Sequence, residues 1–175
     1  MTAVQPTRFV HGPSLVAVMR APAYKPDAAK PGELAKAEPS TRAFLGLLKA
    51  FRATGGAAPG DVLGDMLQGH QCGGLVTLAR SIVARRVFAF DWRGGLWVPM
   101  FQFEPDDLSL AVAPQEVRAE LPAILHGWAL ACWFAQPHAA LRGQAPVDML
   151  RCDLPAVLEV ARGARLRQAG GAMFG

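Results

Sequence analysis

The chain has 175 residues and a mass of 18.6 kDa, the length expected of one main domain. Apolar residues make up 51% and charged residues 18%, a balance that excludes disorder of the whole chain and supplies a sizeable core. Eighteen Lys and Arg against 14 Asp and Glu give a formal +4, but eight of those bases and three of the acids fall in residues 1–60, which makes whole-chain charge a weak argument for nucleic-acid binding.

Residues 1–39 hold six of the 14 prolines and the segment KPDAAKPGELAKAEP, which read as a flexible arm; within it the apolar piece Leu15 to Met19 could pair as an edge strand. Helical spacing begins after Ser40. Phe44, Leu47, Leu48 and Phe51 fall at i, i+3, i+4, i+7, with Ser40 or Thr41 as cap and Gly55-Gly56 as stop. A second helix starts from Asp61 as cap, repeats Val62, Leu63, Met66 and Leu67, and ends at GHQCGG. A third follows in LVTLARSIVARRV, where Leu75, Leu78, Ala79, Ile82 and Val83 form the expected buried stripe.

The segment VFAFDWRGGLWVPMFQF then reads as a β-hairpin turning at Arg93-Gly94-Gly95, with Pro99 confining its strand to an edge or a bulge. Three helices followed by a hairpin outline a winged helix over residues 40–104. After the acidic link EPDDLSL, residues 104–110, the carboxyl-terminal part, residues 105–175, returns to helix at Pro114, through Val117, Leu121, Ile124, Leu125, Trp128, Cys132 and Ala135, broken or bent at Pro122. Pro137 ends that helix, Pro146 and Pro155 can each open another, and Val157, Leu158 and Ala161 face inward before the Gly170-Gly171 stop. The expected architecture is mainly α: a helical bundle with one β-hairpin, its two helical parts sharing one core.

The longest apolar run, residues 128–135, has eight residues, against about 18 for a membrane span. SLVAVM is too short for an export signal and is closed by Arg20, so a cytoplasmic location is expected. Cys72, Cys132 and Cys152 form no CxxC pair and read as reduced, structural thiols.

No nucleophile with a base, metal set or paired carboxylates stands at recognisable spacing, and GxSxG, GxxxxGK[ST] and GxGxxG are all absent. His70-x-Cys72 lacks a second ligand pair, and Asp106-Asp107 reads as a solvated link. Neither an enzyme nor a cofactor is expected. Nucleic-acid binding has one helix in its favour: Thr77, Arg80, Ser81 and Ala84 lie opposite the expected buried stripe, small residues suit close approach to base edges, and Arg85 and Arg86 can reach phosphates. Against it, residues 61–113 carry four bases and six acids. All four tryptophans, Trp92, Trp97, Trp128 and Trp133, lie between Phe88 and Phe134, which suits core or dimer contact better than a ligand cage.

In WFAQPHAALRGQAPVDML, residues 133–150, prolines and a glycine punctuate a compact joint: Pro137 stops one helix, Gly143 relieves the backbone, Pro146 opens the next, and Trp133 and Leu141 fill it. The segment resembles the toxin-binding region of the Xre/MbcA/ParS antitoxin family at Trp133, Pro137, Leu141, Gly143, Pro146, Asp148 and Leu150, and departs from it at His138, where the family usually has Asn. The resemblance implies a cytoplasmic antitoxin that dimerises and covers the active-site entrance of a RES-domain toxin with residues 105–175. Arg162, Arg165 and Arg167 and the tip Met173-Phe174 would then meet the toxin, and an amino-terminal helix-turn-helix could bind operator DNA. The rival readings are a winged-helix transcription regulator without a toxin and a plain interaction module.

Overall fold

The computed structural model describes residues 39–70 and 73–171. In chain order they form α1 (Thr41–Phe51), a 3-10 turn (Arg52–Thr54), β1 (Ala57–Pro59), α2 (Gly60–Gly69), α3 (Gly74–Val83), β2 (Phe90–Trp92) and β3 (Gly95–Pro99). A 3-10 turn (Met100–Gln102) leads on to α4 (Val112–Glu120), α5 (Gly127–Ala135), a further 3-10 turn (Ala139–Leu141), α6 (Pro146–Met149) and α7 (Leu154–Gly171). The expected arm strand at Leu15 to Met19, together with Cys72 and Met173-Phe174, lies outside the described residues.

The local signals explain most boundaries. Ser40 caps α1, its hydroxyl accepting from the Ala43 N–H at 3.2 Å, and α1 buries Phe44, Leu47 and Phe51. α2 starts one residue before Asp61, with Pro59 at the cap position, and the Asp61 carboxylate accepts from the Val62 N–H instead. Pro122 does break the expected long helix: Leu121 is extended, as a residue before proline must be, and α4 and α5 are separate. Pro146 opens α6 at its first turn, and the Asp153 carboxylate accepts from the Ala156 N–H at the start of α7.

The sheet departs from the hairpin expected of the sequence. It has three antiparallel strands in the order β1-β3-β2, so β3 is central and not at an edge. Pro99 is tolerated because it ends β3, opposite Ala57. β1, an Ala-Ala-Pro segment with no strand signature, exists because β3 offers it a partner: Ala58 faces Val98 and Pro59 faces Trp97. The hairpin loop is two residues, Arg93 and Gly94, both at positive φ, and Gly95 already pairs with Trp92. The Arg93 guanidinium sits 4.8 Å from the Trp92 ring centroid and donates to the Thr41 hydroxyl at 2.8 Å, tying the hairpin tip to the start of α1.

Side-chain alternation along the strands places a core on each face of the sheet. One core gathers Phe90, Phe44, Leu47 and Phe51 with Val117, Leu130, Phe134, Leu141, Val157 and Ala161, so α1 shares its interior with α4, α5 and α7 and the packing does not divide at residue 104. The other gathers Ala58, Val98, Leu63, Leu67, Leu78, Val87, Phe103 and Leu108. Phe44 stacks on Trp92 at 3.8 Å between ring centroids, and Phe134 stacks on Phe88 at 5.7 Å while also meeting Phe101 at 4.9 Å. The four tryptophans are therefore drawn towards the interior, each partly buried against the first core.

Gln102 is one of two buried polar side chains among the described residues. Its amide accepts from the Phe88 N–H at 2.8 Å and donates to the carbonyls of Phe88 at 2.9 Å and Pro99 at 3.1 Å, standing in for a strand partner where β2 has not yet begun. Replacing Gln102 by Ala is expected to cost about 1–3 kcal/mol for each backbone group left unpaired. Phe134→Ala, which empties a fully buried ring site, should cost about 3–5 kcal/mol. Urea unfolding of the two variants checks both figures.

Candidate interaction surface

The residues of the 133–150 segment divide into an inner and an outer set. Leu141, Pro146 and Leu150 are buried, and Trp133 is half-buried, edge-on to Phe134 at 5.0 Å. These side chains build the joint from beneath. Pro137, Arg142, Gly143 and Asp148 are exposed. Between α5 and α6 the chain folds back on itself: the His138 N–H donates to the Gln144 carbonyl at 2.9 Å, and the N–H groups of Leu141 and Gly143 donate to the His138 carbonyl at 2.9 and 3.0 Å. Arg142 and Gly143 both stand at positive φ, 56° and 80°, so the turn needs a glycine at 143 for its backbone and presents Arg142 at its apex. The Nδ1 atom of His138, at the position where the resembling family usually has Asn, is buried and meets no hydrogen-bond partner.

The arginines of α7 are not equivalent. Arg162 pairs with Glu120 of α4 at 3.2 Å and with Glu159 at 2.7 Å, and Arg165 pairs with Glu120 at 3.2 Å. The carboxylates of Glu159 and Glu120 together hold the Arg162 guanidinium above its ordinary pKa. Two of the three arginines expected to meet a partner are thus already engaged within the chain. Arg167, which forms no ion pair among the described residues, and the neighbouring Leu166, 71% exposed, remain on the surface. Nothing local in the sequence marks Glu120, because its partners on α7 lie more than 40 positions away. A separate ion pair, Arg151 with Glu104 at 3.4 Å, ties the loop after the sheet to the joint between α6 and α7.

The nucleic-acid face expected on α3 is turned. Ser81 is 4% exposed, and its carbonyl accepts from the N–H groups of Arg86 and Val87. Thr77 is half-buried and its hydroxyl donates to the Gly73 carbonyl at 3.0 Å. Of the expected inward stripe, Leu78 is buried and Ile82 partly so, but Leu75 is 57% exposed and Val83 85%, beside Val76 at 62% and an exposed Ala79. The helix is rotated because Leu78 packs into the core with Leu63 and Leu67 of α2 and Ser81 is buried, while Leu75 lies beside Gly64, leaving the richer apolar side outward. Arg80, Arg85 and Arg86 stay exposed, but Ser81 is withdrawn from any contact with bases.

Among the described residues no group of three or more His, Cys, Asp or Glu is arranged to hold a metal, and no helix is long and apolar enough to cross a membrane. Asp107 spends its carboxylate on the Ser109 N–H at 2.8 Å, a bond that lowers its pKa and closes the acidic link into a turn. Cys132 and Cys152 are free thiols. No family model, curated protein or solved structure matches the chain.

Burial in α5 raises the Cys132 pKa and keeps its thiol protonated at neutral pH, whereas Cys152 is exposed. Timed alkylation of the native protein followed by mass spectrometry should therefore modify Cys152 first and Cys132 only slowly. Removing the carboxylate in Glu120→Gln should leave the fold intact but speed amide hydrogen exchange in α7 around Arg162 and Arg165, with exchange near Leu154 unchanged.

Proposed function

We propose that the chain is a cytoplasmic antitoxin of the type II toxin-antitoxin class, neutralising a RES-domain toxin by covering its active-site entrance and carrying out no chemistry itself. The observation that carries this reading is the turn between α5 and α6. Its inner residues, Leu141 and Pro146, are fixed in the core, while its outer residues, Pro137, Arg142 and Gly143, are free to meet another surface. A turn already held by three backbone hydrogen bonds loses little conformational entropy on docking. The adjacent segments of the sequence resemblance therefore have separate tasks, with Trp133, Leu141, Pro146 and Leu150 supporting the surface and Arg142, Gly143 and Arg167 contributing to it. Arg162 and Arg165 act through their hold on α4.

A homodimer fits this reading through the outward side of α3, where Leu75, Val76, Ala79 and Val83 lie on the surface.

A second reading, a winged-helix regulator without a toxin partner, draws support from the element order α1-β1-α2-α3-β2-β3 and the strand order β1-β3-β2, in which a helical pair precedes a hairpin. In this chain α1 joins the core on the opposite sheet face from α2 and α3, a departure that makes antitoxin activity the better supported of the two.

Co-expression with a RES-domain toxin encoded beside this chain should restore growth. Arg142→Glu, or removal of residues 163–175, should abolish the rescue while thermal melting shows a folded protein; rescue untouched by both changes would overturn the antitoxin reading. Binding to a DNA fragment from its own promoter should fall steeply with salt and weaken in Arg80→Ala if the chain also regulates. No shift at low salt would remove the second reading.

A further inference from the structure

Two arginines from distant parts of the chain meet at a cleft between the segment after α3 and the end of α4. Arg85 follows α3 in left-handed backbone, φ 58°, a conformation that side chains other than glycine adopt seldom and that concentrates at binding sites. Arg118, on α4, donates from Nη1 to the Arg85 carbonyl. That bond fixes the two residues beside each other despite their like charge. Partial burial and then the positive charge of Arg85 both lower the pKa of Arg118, yet a guanidinium does not release its proton at any ordinary pH.

Arg85 is exposed and Arg118 half-buried, and two positive charges brought close to each other are relieved by an anion. Among the described residues, neither Arg85 nor Arg118 forms an ion pair; of the two acids that flank Arg118 on α4, each two residues away, Glu116 is exposed and pairs with neither arginine, and Glu120 is occupied by Arg162 and Arg165. The cleft that the two guanidinium-bearing residues border has a volume of about 250 Å³. Gln115 adds a polar side chain to its lining, and Leu121, Pro122 and Leu125 add an apolar wall. A carboxylate would offset one of the two charges. A phosphate monoester, at close to two negative charges near neutral pH and with three acceptor oxygens, can offset both and accept from two forks at once.

We propose that this cleft is a binding site for a phosphate monoester, with Arg85 and Arg118 holding the phosphate and the Leu121, Pro122 and Leu125 wall receiving the organic group attached to it. The site is separate from the surface of the antitoxin reading, since no residue of 133–150 lines it. It uses Arg85 differently from a DNA-reading α3: the partner of Arg85 is Arg118, and the cleft accepts a terminal phosphate with its substituent.

Isothermal titration of the full chain at constant ionic strength, with inorganic phosphate, phenyl phosphate, benzoate and a short DNA duplex as probes, tests the assignment. Phenyl phosphate should bind, more tightly than inorganic phosphate because its ring reaches the apolar wall, and more tightly than benzoate because it carries the second charge. Arg118→Gln and Arg85→Gln should each weaken phenyl phosphate at least tenfold, Arg118→Lys should restore only part of the loss, and Arg52→Gln, an exposed residue after α1, should leave it unchanged. If Arg118→Gln does not fold, Arg85→Gln carries the comparison, because its side chain is exposed. Absence of phenyl phosphate binding, equal binding of benzoate, binding that survives both glutamine variants, or binding of the duplex alone would overturn the proposal. Each result is independent of whether the chain rescues growth from a toxin.

Discussion

The central strand β3 is packed on both faces, and the rest of the described fold is arranged around that fact. Trp97 and Val98 are neighbours in sequence but belong to different cores, one completed by α1 and α4 to α7, the other by α2 and α3. Three strands this short have too few ladder bonds to stand alone, so the sheet holds only because helices cover both sides. The same requirement recruits β1 from a segment of low β-propensity and places α1 against the hairpin through the Phe44 and Trp92 stack. Gln102 extends this logic beyond the ladder, since its amide pairs with the Phe88 backbone where no strand is present to do so.

Because α1 shares an interior with α5 and α7, the amino-terminal and carboxyl-terminal helices of the described region are one mechanical unit. This has a consequence for the turn between α5 and α6. Its supports, Leu141 and, on either side of Pro146, Ala145 and Val147, belong to the same core as the ring cluster of Phe88, Phe101 and Phe134, so the outer face of the turn is positioned by the same packing that holds the sheet. A surface prepared in this way suits recognition by shape, with the ordering cost met during folding and not at the encounter.

Charge is distributed with a similar division of tasks. Glu120 gathers Arg162 and Arg165 and so joins α4 to α7. On the same helix, Arg118 faces away from that pairing and towards Arg85. This short helix thus joins an internally satisfied ion cluster and, through its own Arg118 beside Arg85 of the segment after α3, two cations that form no ion pair among the described residues.

The sequence by itself determined the helices with strong periodicity or clear punctuation: α1 from its apolar spacing and Ser40, the hairpin from Arg93-Gly94-Gly95, the break at Pro122, and the start of α6 at Pro146. It also marked residues 133–150 as a joint with Leu141 inside, because proline and glycine constrain the backbone locally and need no knowledge of the neighbours. Only the tertiary structure decided what depends on partners far along the chain. It paired Ala57-Ala58-Pro59 with a strand some 40 residues away, turned α3 so that Ser81 is buried and Val83 exposed, tied two arginines of α7 to Glu120, and brought Arg118 to Arg85. The physical reason is the same in each case: periodicity shows that a helix has an apolar side, but when both sides carry apolar residues, as in α3, the direction of burial is fixed by the surface available to pack against.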